Sequence, residues 1–231
     1  MIEIKDAIIG HEKPLFSIDN LTLKKGHVYA LIGRNGGGKT TFLNSLMGQK
    51  SLISGDISVN GFEIKKLSRK RIAQEIAYVS SKFEGVDFLS VYNYISLGKF
   101  PNSNWIGSID DKEKLEIDDV VKEFKINHLT RKFTSEISDG ERQLCAVARA
   151  IVQNTDIIIL DEPSAFLDYL NRKKMIDLLI NLSKEKNKCI VFSTHDLDLA
   201  MEVELSFLAI HENNLQQISI REKQELLTYF L

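Results

Sequence analysis

Short apolar runs rich in β-branched residues recur along the chain and alternate with segments of helical periodicity. The runs occupy residues 28–32, 76–79, 157–160 and 189–192. Continuous apolar runs of this length are typical of strands that are buried on both faces, and their alternation with helices favours a parallel sheet. The pattern therefore predicts an α/β fold in which a mostly parallel sheet lies between helices.

A different pattern surrounds Asn60-Gly61. Residues 56–64 alternate between apolar and polar positions on both sides of this dipeptide, which is the strongest two-residue signal for a β-hairpin. We therefore predict a small antiparallel β subdomain beside the parallel core. Residues 205–210 and 216–220 favour two further strands, and residues 221–230 favour a closing helix.

From about residue 83 to residue 152 the periodicity is mostly helical. The best helix candidates are residues 91–97, 111–124 and 141–152. We interpret residues 83–152 as an inserted α-helical subdomain, and residues 1–82 and 153–231 as the α/β core with its antiparallel part. The chain would then form one domain over residues 1–231, which agrees with its length.

The charge balance, the apolar runs and the cysteines limit the partners and the location that we expect for this chain. Thirty basic and thirty-two acidic residues give a formal net charge of −2, so no electrostatic signal indicates a nucleic-acid partner. The first residues do not resemble a signal peptide and no apolar run approaches the roughly 20 residues of a membrane helix, so a cytoplasmic location is expected. Cys145 and Cys189 lie in apolar segments without metal-like spacing, and we expect both to be reduced and structural.

The most informative motif spans residues 33–40, Gly-Arg-Asn-Gly-Gly-Gly-Lys-Thr, between an apolar run and a helical segment. Glycines let consecutive backbone N–H groups converge on one anion, and the following helix adds its positive N-terminal end. Lys39 can then reach the β- and γ-phosphates, while the Thr40 hydroxyl can bind Mg²⁺. The predicted nucleoside-triphosphate site consists of Gly33, Arg34, Asn35, Gly36, Gly37, Gly38, Lys39, Thr40 and Thr41.

Two carboxylates follow the apolar run at residues 157–160. The carboxyl edge of a parallel sheet is where ligands bind, and neighbouring residues of an extended segment point in different directions. We expect Asp161 to hold Mg²⁺ and Glu162 to orient or deprotonate the attacking water.

Ser138 and Glu141 have the Ser-x-x-Glu spacing of a capping box, immediately before an apolar helix. This pattern indicates a well-capped helix. A Ser hydroxyl and a glycine at an open helix N-terminus also make a second anion site, remote in sequence from Lys39. Both interpretations can hold together.

In this order, the motifs resemble those of the ATP-binding cassette (ABC) ATPases, which have a P-loop NTPase core. The resemblance rests on the loop at residues 33–40, on Ile-Ser-Asp-Gly-Glu at 137–141 where the family usually has Leu-Ser-Gly-Gly-Gln, on Asp161-Glu162, on residues 164–168 and on Ser-Thr-His-Asp at 193–196. It spans nearly the whole chain.

The resemblance implies an ATP- and Mg²⁺-dependent ATPase that works as a head-to-tail homodimer and powers a membrane permease. Each subunit would offer its signature residues, Ser138, Asp139, Gly140 and Glu141, to the ATP held by its partner. Asp168 would couple the two sites, and His195 would contact the γ-phosphate and help to hold the attacking water.

Several positions depart from the family pattern in ways that bear on function. Ser80-Ser81 replaces the usual Pro-Gln, and Ser81 is shorter than the glutamine that touches Mg²⁺ in the family, so slower hydrolysis or weaker coupling is expected. Ile9 is the nearest equivalent of the aromatic residue that stacks on adenine, which predicts looser base discrimination. Asp139 replaces a glycine, which puts a carboxylate near the expected phosphate.

The stretches at residues 96–101, 104–107 and 110–113 are similar to those of importers for iron chelates (siderophores), haem and cobalamin. This similarity implies a permease partner, an indirect link to a substrate-binding protein, and a position at the inner face of the membrane. Alternatives are an ABC ATPase of another transporter class, a non-transport ABC ATPase, or a regulatory ATP-binding subunit with low turnover. A DNA-repair type would show a long heptad insertion, which the sequence lacks.

Overall fold

The computed structural model describes residues 1–103, 109–196 and 205–218, and the described strands join into one sheet. The strands are β1 (Ile2–Gly10), β2 (Pro14–Leu23), β3 (Val28–Gly33), β4 (Ser54–Val59), β5 (Phe62–Glu63), β6 (Ile76–Val79), β7 (Ile157–Leu160), β8 (Cys189–Ser193), β9 (Ser206–His211) and β10 (Asn214–Ile218). The helices are α1 (Lys39–Leu46), α2 (Arg69–Glu75), α3 (Val91–Ser96), α4 (Asp111–Glu123), α5 (Asp139–Val152) and α6 (Tyr169–Glu185).

The strand order is β5-β4-β1-β2-β10-β9-β3-β8-β7-β6. Neighbours from β9 to β6 are parallel, whereas β5, β4, β1 and β2 pair antiparallel. The two parts meet where β10, antiparallel to β9, contacts β2. The predicted α/β class is confirmed, and the antiparallel part is continuous with the parallel sheet.

Both faces of the parallel part are covered, which explains the unbroken apolar runs. Along β7, Ile157 and Ile159 face one apolar core, while Ile158 and Leu160 face the other. Helix α1 contributes to the first core, and helices α5 and α6 contribute to the second. Because side chains alternate along a strand, each strand needs apolar residues at every position to fill two cores.

The antiparallel part contains the predicted hairpin. β4 and β5 pair across Asn60-Gly61, and both turn residues have the positive φ angles, 48° and 85°, that this dipeptide tolerates. Strands β1 and β2, which the pattern did not predict, extend it into four strands. β1 pairs with β2 on one side and with β4 on the other.

Between β6 and β7 most of the regular structure in the described residues is helical. The predicted helices are confirmed as α3, α4 and α5, and α5 begins at Asp139 because the Ser138 side chain caps it. The predicted closing helix at residues 221–230 and the stretch at 104–107 lie outside the described residues. The strand predicted at residues 216–220 corresponds to β10 as far as Ile218, and residues 219 and 220 lie outside the described residues. Among the described helices, none combines the length and apolarity needed to cross a bilayer.

Candidate nucleotide-binding site

The glycine-rich loop connects β3 to α1, at the carboxyl edge of the sheet. Gly38 precedes the helix with φ of 96°, and a Cβ there would lie 2.8 Å from the Phe16 ring. A larger residue would therefore be strained both by its backbone and by this contact. Gly36, with φ of 75°, has open space around it. The loop thus leaves its backbone accessible to a ligand.

Lys39 is buried and turns back over the loop. Its ammonium donates hydrogen bonds to the carbonyl oxygens of Gly33 at 2.8 Å and Arg34 at 3.2 Å. Burial lowers the pKa of Lys39, and the negative charges of Glu162 and Asp161 oppose this shift. The ammonium thus contacts the loop directly and lies close enough to both acids to interact with their charges.

Asp161 follows β7 and is buried beside the start of α1. Its carboxylate accepts hydrogen bonds from the hydroxyls of Thr40 at 2.8 Å and Ser193 at 2.6 Å. A carboxylate and a hydroxyl are hard oxygen donors, and Mg²⁺ in phosphate sites is usually held by one or two carboxylates together with the substrate's phosphates. Thr40 and Asp161 therefore fit the Mg²⁺ ion that the sequence implies.

Glu162 lies next to Asp161 in a left-handed conformation, with φ of 49°. A non-glycine residue in this region costs free energy and is common at functional sites. Its carboxylate Oε1 lies 2.6 Å from Nε2 of His195, and both side chains are partly exposed. The structure thus brings the predicted water-orienting acid into direct contact with the predicted γ-phosphate histidine.

The signature residues form a second cluster at the start of α5. Ser138 and Glu141 make the predicted capping box: the backbone N–H and hydroxyl of Ser138 both donate to Glu141 Oε2 at 2.8 Å. Asp139 pairs with Arg142 on the same helix, which partly neutralises the carboxylate that replaces a glycine.

Asp168 belongs to this second cluster. It caps α6 by accepting the backbone N–H of Asn171 at 2.9 Å. Gly140 packs against the segment before Asp168, because a Cβ on this glycine would lie 3.0 Å from the Phe166 carbonyl. The cluster surrounds an open cavity of about 450 Å³, lined by Ser138, Asp139, Gly140, Glu141, Leu144, Phe166, Leu167, Asp168 and Asn171.

The structure corrects one interpretation and adds one residue. Ile9 is fully buried in β1, so it cannot offer a face to a nucleotide base. Leu15, which is 39% exposed, instead approaches the loop at Gly38. Ser193, at the end of β8, contacts the carboxylate of Asp161 and the backbone of Glu162. Ser193 is the first residue of the Ser-Thr-His-Asp motif that contains His195, but the sequence pattern gave Ser193 no role of its own.

Comparison with known proteins identifies the family of this chain. The family model described as "ABC transporter" matches residues 16–165, which include the loop, the signature residues and both acids. The chain belongs to the ABC transporter family. It is therefore an ATP-binding ATPase, and the loop at residues 33–40 lies within the matched region.

Curated relatives of this ABC ATPase include transport proteins. A probable siderophore transport system ATP-binding protein, YusV of Bacillus subtilis (strain 168), is 31% identical over 85% of this chain and 71% of its own length. The achromobactin transport ATP-binding protein CbrD of Dickeya dadantii (strain 3937) is 31% identical over 84% of this chain and 73% of its own.

A solved structure also matches the whole fold. An inward-facing transporter assigned to the metal-chelate type of ABC transporter contains a chain that is 26% identical, with a TM-score of 0.82. The match covers 99% of this ABC ATPase and 88% of the solved chain.

Proposed function

We propose that this chain is the ATP-hydrolysing subunit of an importer for an iron chelate such as a siderophore, with haem and cobalamin as the other cargo candidates. The observation that carries the ATPase part is the convergence of Lys39, Thr40, Asp161 and Glu162 at one edge of the sheet. The cargo class is supported by the siderophore and achromobactin proteins that the chain is similar to.

The residues divide the chemistry of hydrolysis. Loop amides and the Lys39 ammonium hold the β- and γ-phosphates, and their positive charge stabilises the negative charge of the transition state. Glu162 orients the attacking water and accepts its proton, with His195 beside it. Mg²⁺, held by Thr40 and Asp161, would neutralise phosphate charge when it is bound.

Two copies would complete each site. The Ser138 cluster lies on a different helix from the phosphate loop and lines its own cavity. In a two-fold pair, this open helix N-terminus of one subunit faces the ATP of the other. The arrangement makes ATP the contact that joins the two subunits, and hydrolysis separates them.

A groove near the helical elements is the proposed permease contact. It has a volume of about 860 Å³, and its lining includes Tyr78, Arg149, Leu97 and Phe100. Leu97 is 48% exposed and Phe100 is 70% exposed, so the groove presents two neighbouring apolar side chains to a partner. A cytoplasmic loop of the permease would fill this groove and hold the chain at the inner face of the membrane.

The test is purification of the chain from its native membranes, followed by identification of the proteins bound to it. A multi-helix permease supports transport, whereas ribosomes or nucleic acid would overturn it. Phe100→Asp should reduce permease capture without changing ATP affinity. Leu115→Asp is the matched control, because Leu115 is 65% exposed on α4 outside the groove.

The proposed cargo class is tested by measuring the uptake of labelled compounds into cells. Cells that lack this chain should lose ATP-dependent uptake of one labelled cargo among iron chelates, haem and cobalamin, and the chain should restore it. Retained uptake of all three classes would assign the chain to another transporter class or to a function outside transport.

Ser81 favours a second candidate, a subunit with low turnover. Ser81 follows β6 at the position where the family usually has glutamine, and its side chain is shorter. A water can bridge the remaining distance to the metal. Ser81→Gln should then raise turnover in the permease complex, and unchanged turnover would remove Ser81 as a cause of slow hydrolysis.

A further inference from the structure

A single buried hydroxyl joins the two acids of the site. Ser193 is the last residue of β8, and its side chain is fully buried. Its Oγ lies 2.6 Å from Asp161 Oδ1 and 2.8 Å from the backbone nitrogen of Glu162.

The directions of these two hydrogen bonds follow from the groups involved. An ionised carboxylate can only accept, so the single Ser193 proton is donated to Asp161. The backbone N–H of Glu162 can only donate, so the Ser193 Oγ accepts this second hydrogen bond through a lone pair. The hydroxyl therefore uses its donor on one acid and an acceptor on the other.

Both bonds bear on geometry that hydrolysis needs. The other carboxylate oxygen of Asp161, Oδ2, accepts a hydrogen bond from the Thr40 hydroxyl at 2.8 Å. Ser193 and Thr40 therefore each hold one oxygen of this carboxylate. Glu162 has a strained φ of 49°, and its N–H is held by Ser193 while its carboxylate reaches His195 at 2.6 Å. A left-handed non-glycine residue persists only when its surroundings hold it there.

The strand end that carries Ser193 is itself anchored. The backbone N–H of Thr194 donates to the Leu31 carbonyl of β3 at 3.1 Å, and β8 lies between β3 and β7. The position of the hydroxyl is therefore fixed by both strands that carry the site, β3 before the phosphate loop and β7 before the acids.

We propose that Ser193 is a positioning residue for both acids: its hydroxyl orients Asp161 toward the metal and holds the backbone of Glu162 so that this carboxylate meets His195. Its own side chain is fully buried, so it acts through the two acids. The inference rests on the proposed roles of Asp161 and Glu162 in ATP hydrolysis.

The test measures binding separately from turnover. In a Glu162→Gln background, the affinity for a fluorescent ATP analogue is measured with Mg²⁺ and in EDTA, with and without Ser193→Ala. Loss of a hydrogen-bond partner behind a metal ligand typically costs about 10- to 100-fold in metal affinity or activity. Ser193→Ala should therefore remove most of the gain in affinity that Mg²⁺ gives and leave the affinity in EDTA within about twofold.

Two further variants separate the hydroxyl from the volume of the side chain. Ser193→Thr keeps the hydroxyl and should retain more of the Mg²⁺-dependent gain than Ser193→Cys, whose thiol is a weak donor. Ser183→Ala is the matched control, because Ser183 is a buried serine on α6 whose hydroxyl donates to the Lys188 carbonyl, remote from the site. In the otherwise wild-type permease complex, Ser193→Ala should lower kcat and raise the Mg²⁺ concentration for half-maximal turnover.

Three results would overturn the inference. One is a Ser193→Ala variant that matches Ser183→Ala, and another is an equal loss of affinity with Mg²⁺ and in EDTA. The third is unfolding of all Ser193 variants where Ser183→Ala folds, since the role would then be structural. A parent protein that binds no ATP would instead reject the proposed function, so the two failures are distinguishable.

Discussion

At the scale of single residues, the site depends on charges held out of water. Lys39 is buried against two backbone carbonyls, and burial lowers its pKa while Glu162 and Asp161 counter the shift. A triphosphate adds negative charge beside this ammonium and can replace the carbonyls as its hydrogen-bond partners. The lysine is therefore already in place before the ligand arrives.

Two substitutions separate binding from hydrolysis. Glu162→Gln removes the base, and we expect turnover to fall by about 100-fold or more with ATP affinity retained. Lys39→Ala removes a charge-assisted contact worth about 1.5–3 kcal/mol, which weakens ATP binding by on the order of 10- to 100-fold. Calorimetry and phosphate release measure the two effects. Undiminished hydrolysis by the first variant, or unchanged affinity of the second, would contradict the assigned roles.

A separate prediction concerns the reactivity of the two cysteine thiols. Burial raises the pKa of Cys145 and of Cys189 to about 12 each. A raised pKa keeps a thiol protonated, and the thiolate is the reactive form. At pH 8 neither thiol should react with a maleimide in the folded protein, and both should react after denaturation. Rapid labelling of the folded chain would contradict the structural role.

At the scale of elements, the active groups lie where strands end and helices begin. Asp161 and Ser193 end or follow parallel strands, whereas Ser138 and Asp168 cap helices. Regular elements fix such positions more closely than long loops can. The same residues therefore belong both to the regular elements of the fold and to the proposed site.

Helix caps allow these two contributions to be separated. Asp110 caps α4 by accepting the Glu113 N–H at 2.8 Å, and Asp168 caps α6 in the same way. Each Asp→Ala change should lower the free energy of unfolding by about 1 kcal/mol, as measured by urea titration. Only Asp168→Ala should also lower ATP turnover, because Asp168 lines the signature cavity. Equal turnover in the two variants would assign Asp168 a capping role alone.

The elements that the sequence predicted are those with unambiguous local signals. Strands at residues 28–32 and 157–160 are apolar throughout, and Asn60-Gly61 indicates its hairpin directly. β1 escaped prediction because its alternation is interrupted: Asp6 has φ of 46°, and the pairing with β4 shifts between Lys5 and Ile8. A bulge of this kind moves later side chains to the opposite face.

The same limit applies to the candidate site. The residues of the phosphate loop follow one another in the sequence, and so do the two acids. Each group could therefore be recognised from its own short motif. The contact of Ser193 with Asp161 depends on β8 lying beside β7, and strand order is a property of the assembled sheet. The burial of Ile9 likewise depends on β1 lying between β2 and β4.

At the scale of the whole molecule, the phosphate loop and the signature cavity are the two halves of a proposed composite site. Each half makes its own hydrogen bonds: Lys39 contacts the loop carbonyls, and Ser138 contacts its capping partner Glu141. A second copy would present the second half to the first. Association should therefore depend on ATP and on both halves.

The most direct measurement is the mass of the Glu162→Gln variant in solution, by analytical ultracentrifugation, with Mg-ATP and without it. The account predicts a monomer or weak dimer without nucleotide and a stable dimer with it. Adding Ser138→Arg should leave ATP binding intact and prevent this dimer, because a bulky cation would fill the partner's contact with the phosphate. A mass that does not respond to ATP, or equal dimerisation with Ser138→Arg, would contradict the composite site.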